Sequence, residues 1–210
     1  MMSHNDSAPI VVGVDVGDPK KGFHTVAIHK GKIIETYTAF NAAEVVGWCR
    51  RLDASTVGID APCCWSYNGR ARPCERALAA EGIHAFATPG RAVGERHRFY
   101  RWMRNGAELF RLMTPYYWLF NGRMSESSPV CFETFPHAVA CALAGKILPA
   151  KQKRTDRPRL LHEAGLSLDH LPNIDMVDAA LCALTAQHLL NGTFKTYGEA
   201  AEGFIVVPKT

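Results

Sequence analysis

No apolar run in the sequence is long enough to span a bilayer, so no membrane partner is expected. The opening residues, MMSHNDSAP, have neither a basic flank nor an apolar core. They do not read as a secretory leader, and residues 1–9 are expected to form a short disordered tail. Internal repeats and low-complexity segments are absent, as is a Gly-rich phosphate loop of the kind that nucleotide-hydrolysing proteins use. Seven cysteines are present (Cys49, Cys63, Cys64, Cys74, Cys131, Cys141 and Cys182), but none of their spacings reads as a zinc site. An odd count without a leader favours free thiols in a reducing compartment, hence a cytoplasmic protein with mainly structural cysteines.

What the chain does have is ordinary in bulk. Apolar residues make up 47% and charged residues 21%, as in a soluble globular protein. Its 210 residues suit one α/β domain, with room for an insertion but not for a second full domain. The expected division is a tail at 1–9 and a single domain at 10–210, with a helical and basic insertion at about 88–128. A net charge of +4, with an isoelectric point near 8.7, permits a nucleic-acid partner without requiring one. The charge is unevenly spread. Arg91, Arg96, Arg98, Arg101, Arg104 and Arg111 fall in one stretch, and Lys151, Lys153, Arg154, Arg157 and Arg159 in another.

The near-continuous apolar segment 10–16 (IVVGVDV) predicts a strand buried on both faces. FHTVAIH and KIIETYT follow across short turns, which makes an antiparallel meander. Asn41 with Glu44 reads as a capping box opening a helix to about Arg51. TVGID (56–60) is a second buried strand, and strand–helix–strand spacing implies a right-handed crossover to a parallel neighbour. A helix from Pro73 to near Gly82 and a short strand IHAFAT come next. Residues 88–100 read as a loop, and 105–121 as one or two packed helices broken near Pro115. VCFETF (130–135) is a strand, and residues 137–144 a helix ended by Gly145. Residues 149–157 read as a basic loop, residues 159–164 as a short helix, and residues 175–190 as a long helix capped by Asn191-Gly192. FIVVP adds a possible edge strand.

Three apolar strand segments each carry one acid near an end: Asp15, Asp60 and Glu133. A charge in an apolar strand is costly unless it is paired or binds a metal, and the carboxyl ends of parallel strands are where open α/β sheets bind ligands. Asp178 is a fourth acid, in an apolar helix, followed by small residues that would allow close packing on the sheet. Asp175 shares its face but sits in the first turn, where it complements the helix dipole. Crowded carboxylates repel, and a hard divalent cation such as Mg²⁺ or Mn²⁺ removes that penalty. Metal-assisted phosphodiester chemistry needs such acids facing one cleft from several rigid elements.

GVDVG at 13–17, GIDAP at 58–62, FETFPHA at 132–138, RPRLLHEAG at 157–165 and DMVDAALCALTA at 175–186 stand in an order and spacing that resembles one family over nearly the whole chain. This is the domain of unknown function 429 family, placed in the ribonuclease H-like superfamily and described as predicted nucleases. The resemblance implies an α/β fold with a mixed five-stranded sheet, an antiparallel meander plus parallel strands, flanked by helices. It also implies an acidic metal site on Asp15, Asp60, Glu133 and Asp178. The loop after Asp60, APCCWSYNGRARPCE, departs from the more ordinary polar loop expected, and Cys63, Cys64 and Trp65 would reshape the mouth of the site.

The function expected is a metal-dependent nuclease or phosphodiesterase that uses Mg²⁺ or Mn²⁺ on a nucleic acid or another phosphodiester. The acids would hold the metal and carry the catalysis, and Lys151, Arg154 and Arg157 would clamp a substrate phosphate. The Arg91–Arg111 stretch, interleaved with Phe99, Tyr100 and Trp102, reads equally as a nucleic-acid surface or as a solvated face. His24 and His137 read first as structural histidines, and as acid–base groups second. Phe110, Leu112, Met113, Tyr116, Trp118, Leu119 and Phe120 are most simply core, and an exposed part of them would mark a homodimer interface. Two alternatives stand beside the nuclease: a non-catalytic scaffold of the same fold, and an actin-like phosphotransferase, for which the chain is short.

Overall fold

The computed structural model describes residues 8–124 and 128–209, so most of the expected tail lies outside the described residues. The meander forms as expected from β1 (Val11–Val16), β2 (Phe23–His29) and β3 (Lys32–Ala39). It is followed by α1 (Ala42–Arg51), β4 (Thr56–Asp60), α2 (Pro73–Ala80), α3 (Arg91–Arg96) and α4 (Arg101–Met113). The two-residue β5 (Trp118–Leu119), β6 (Val130–Thr134), α5 (Pro136–Ala144) and α6 (Lys153–Glu163) come next. The chain ends with α7 (Ile174–Leu190), β7 (Phe194–Glu199) and β8 (Gly203–Pro208).

One mixed sheet runs β3-β2-β1-β4-β6-β8-β7, with β5 also beside β6. The first five strands in that order are the expected meander plus parallel strands, and a C-terminal hairpin extends them. β1, β4, β6 and β8 run parallel, whereas β2, β3 and β7 run antiparallel to their neighbours. β8, expected as an edge strand, lies inside the sheet because β7 covers it.

Side chains alternate between the faces of a strand, and the two core clusters separate by that parity. Val11, Val26, Ile28, Val130 and Phe132 pack with α5, α6 and α7, while Val12, Val14, Ala27, Val57, Ile59 and Cys131 pack with α1 and α4. The Asn41 side chain caps α1, accepting from the Glu44 amide at 3.0 Å. Gly145, at φ 63°, closes α5 in the left-handed region where glycine is unstrained.

Three local expectations change. Residues 83–88 form no strand, because the Thr88 amide donates to the buried Glu75 carboxylate at 3.1 Å instead of to a ladder. Residues 91–96, expected as loop, form α3, whose Gly94 lets the helix lie against the Trp65 ring. The basic segment from 153 belongs to α6. Its Lys and Arg residues favour helix, and Pro158 costs the helix only locally. Of the aromatic stretch, Phe110, Met113, Tyr117 and Phe120 are buried, whereas Tyr116, Trp118 and Leu119 are exposed.

Candidate metal centre at the carboxyl edge of the sheet

The centre depends on how closely α7 lies on β1 and β4. Gly13 and Gly58 are register partners in those strands. A Cβ on Gly13 would stand 2.0 Å from the Ala179 carbonyl oxygen, and one on Gly58 would stand 2.6 Å from that of Cys182. Only hydrogens in the strands and small residues on the helix permit this approach. Two residues further along, Asp15 and Asp60 are also register partners, and they emerge on the same face at the carboxyl ends of the strands. The start of α7 brings Asp175 and Asp178 over that edge. Asn173, ahead of the helix, accepts from the Met176 amide at 2.9 Å and fixes the first turn.

His24 joins from β2, opposite Asp15 in register. Its Nδ1 stands 3.7 Å from an Asp15 carboxylate oxygen, is buried, and has no hydrogen-bond partner. Ligand atoms of Asp15, His24 and Asp175 all lie within 4.8 Å of one another. Lys21, in the turn between β1 and β2, reaches Asp175 at 3.1 Å.

Burial dominates the electrostatics. It pushes the Asp60 carboxyl well above the usual range, helped by the charges of Asp15 and Asp178. Burial also raises Asp15, against the opposing effect of His24. Asp178 is pushed up to about 6 by burial, although the Arg157 guanidinium pulls the other way. Asp15, His24 and Asp175 are thus the group whose ligand atoms converge closely enough to hold a metal ion, and the raised carboxyls of Asp60 and Asp178 stand beside it.

Of the four acids expected from the sequence, Asp15, Asp60 and Asp178 come together. Glu133 does not join them. It pairs in register with Ile59, one position from Asp60, and period-2 alternation turns it to the opposite face. There the buried Arg72 grips it with two donors, at 2.5 and 2.9 Å, and the Cys63 amide donates at 2.8 Å. Arg72 is itself held at 3.0 Å by Glu75. A pocket of about 190 Å³ is lined by Asp60, Arg72, Glu75, Glu133 and Trp102 among others.

Of the expected phosphate clamp, Arg157 is buried and ion-paired with Asp178. Lys151, just ahead of α6, and Arg154, in its first turn, are exposed, while Lys153 acts electrostatically on Asp178. His137, on α5, is lowered by burial and by Arg157. Lys21 is therefore an addition to the sequence reading, and His24 and Asp175, read there in other roles, join the group at Asp15. Pairing β1 with β2 across the turn would have put His24 opposite Asp15, but no local signal joins Asp175 to a residue over 150 positions earlier. A larger cleft of about 1170 Å³ lies between the 63–69 loop, α3 and α4, and none of the four expected acids lines it.

The family model described as "Protein of unknown function (DUF429)" matches residues 13–202. No curated protein matches the chain. Among solved structures, RuvC of Thermus thermophilus is similar at 15% identity over 88% of this chain and 97% of its own, with a TM-score of 0.47. T. thermophilus RuvC in complex with a Holliday junction substrate gives the same identity and coverage, with a TM-score of 0.46.

Proposed function

The chain belongs to the DUF429 protein family, and on its carboxylate geometry we propose that it is a divalent-metal-dependent hydrolase of phosphodiester bonds in nucleic acid. The observation that carries this reading is the meeting of Asp15, His24 and Asp175 within 4.8 Å, beside Asp60 and Asp178. Asp15, Asp175 and the free His24 nitrogen would hold the cation, and Asp60 and Asp178 would add negative charge behind them. A bound Mg²⁺ or Mn²⁺ supplies Lewis acidity to a phosphoryl oxygen and acidifies water.

The chain's own groups do the rest. Lys21, Lys153 and Arg157 ring the acids with positive charge, which favours a phosphate at that edge. Asp60, whose burial favours its protonated form, can keep a proton until a cation or substrate displaces it. Pairing of Arg157 with Asp178 holds the guanidinium at the edge and limits its reorientation.

Titration calorimetry of Mn²⁺ into the wild type and Asp15→Asn tests the cation. Binding by the wild type alone is expected. Cleavage of single- and double-stranded DNA and RNA, with Mn²⁺ or with chelator, tests the reaction. Undiminished wild-type cleavage in chelator would overturn the proposal. One observation favours a second reading, a non-catalytic module: Arg72 and Arg157 neutralise Glu133 and Asp178 within the chain itself. That reading expects no Mn²⁺ binding with or without nucleic acid.

A further inference from the structure

Five of the seven cysteines, Cys49, Cys74, Cys131, Cys141 and Cys182, are buried; only Cys63 and Cys64 are not. These two are adjacent in sequence, and both line the cleft of about 1170 Å³. Their position is fixed from below. The Cys63 amide is tied to Glu133, and the Cys64 thiol donates to the Glu202 carbonyl at 3.2 Å. The Arg72 guanidinium stands 4.0 Å from the Cys64 sulfur, so a permanent cation faces it. Arg91, Arg104 and Arg111 line the same cleft; Arg91 is ion-paired with Glu95 at 3.4 Å and Arg111 with Glu108 at 2.7 Å, whereas the Arg104 guanidinium donates to the Glu95 main-chain carbonyl and has no carboxylate partner among the described residues.

We propose that Cys64 is a site of reversible S-thiolation by anionic low-molecular-weight disulfides of the glutathione type, a carboxylate of which Arg104 of the cleft receives. The step is thiol–disulfide exchange. The Cys64 sulfur loses its proton and attacks one sulfur of the disulfide; a new sulfur–sulfur bond forms as the old one breaks. The second half leaves as a thiolate and takes up a proton, so one disulfide is consumed and one is made, with no net oxidant required.

The cysteine environment supports this reactivity. A hydrogen bond from the Cys63 thiol and the charge of Arg72 bring Cys64 down to about 7 against the effect of burial. Cys63 is pushed up by the same hydrogen bond, which makes Cys64 the nucleophile of the pair. A glutathionyl group on Cys64 would occupy the cleft next to Trp65 and Tyr100. The inference does not depend on a metal at the carboxylate edge.

The test is native protein incubated with oxidised glutathione, followed by intact mass and peptide mapping. One adduct on Cys64, removed by dithiothreitol, is expected in the wild type and in Cys63→Ser, with none in Cys64→Ser. Cystamine, the cationic analogue, should react about tenfold more slowly at low salt, and the gap should close as salt rises. Circular dichroism melting confirms that each variant is folded. If Cys64→Ser melts early, alkylation competition at Cys64 in the wild type gives the same readout. An adduct on Cys63 or on a buried cysteine, no adduct on Cys64, or equal rates for the two disulfides would overturn the proposal.

Discussion

Arg72 and Glu133 form a buried pair in which each charge depends on the other. Both side chains are almost wholly enclosed, and Glu133 accepts from two guanidinium nitrogens and the Cys63 amide. Breaking such a pair by removing one partner typically costs about 3–5 kcal/mol, because an uncompensated charge remains buried. Arg72→Ala is therefore expected to lower stability by an amount in that range, measured by urea denaturation. Glu133→Gln should also destabilise, yet leave Mn²⁺ affinity unchanged in calorimetry, since its carboxylate is held by Arg72 and the ligand atoms that converge belong to Asp15, His24 and Asp175. A Glu133→Gln variant that folds but loses Mn²⁺ binding would return Glu133 to the metal site.

Between elements, the decisive contact is α7 against β1 and β4. Gly13 and Gly58 meet helix backbone at distances no Cβ can share. Gly13→Ala must push the helix off the sheet, an overpacking that typically costs about 1–3 kcal/mol. Because Asp175 and Asp178 ride on α7, the same substitution is expected to weaken Mn²⁺ binding as well as lower the melting temperature. Gly47→Ala provides the control. That residue lies in α1 and an added Cβ there meets nothing within 4 Å, so helix propensity should make it neutral to stabilising, by up to about 1 kcal/mol. Equal losses from the two substitutions would count against the close approach of α7.

For the whole molecule, the acid cluster sets a pH dependence with a definite sign. Asp15, Asp60 and Asp178 are all raised in the folded state, Asp178 to about 6. Folded protein therefore holds protons that the unfolded chain has released: the contribution of Asp178 to stability falls as pH rises from about 4 through 6, and Asp15 and Asp60 act in the same direction. A cation competes with those same protons. The gain in melting temperature on adding Mn²⁺ should thus be small near pH 5 and larger at pH 7.5, with Asp15→Asn showing little gain at either. A gain independent of pH would mean that the cation binds elsewhere. No helix among the described residues is long and apolar enough to cross a membrane.

Much of this was already written in the linear chain, wherever neighbours in sequence control the outcome. The period-2 and unbroken apolar patterns of residues 10–16 and 56–60, the Asn41–Glu44 cap and the Gly145 stop specified the meander, the crossover and the helix ends, because burial and capping act over a few residues. Asp15, Asp60 and Asp178 were legible as buried acids for the same reason. Tertiary structure alone decided which acids share a face. Glu133 looked equivalent in its strand, but the register of β6 against β4 turned it toward Arg72. His24 and Asp175 looked structural until the β1–β2 pairing and the seating of α7 on Gly13 and Gly58 brought them to Asp15. Register and helix seating are set by contacts between residues far apart in sequence, and a one-residue change of either reverses which side chains meet.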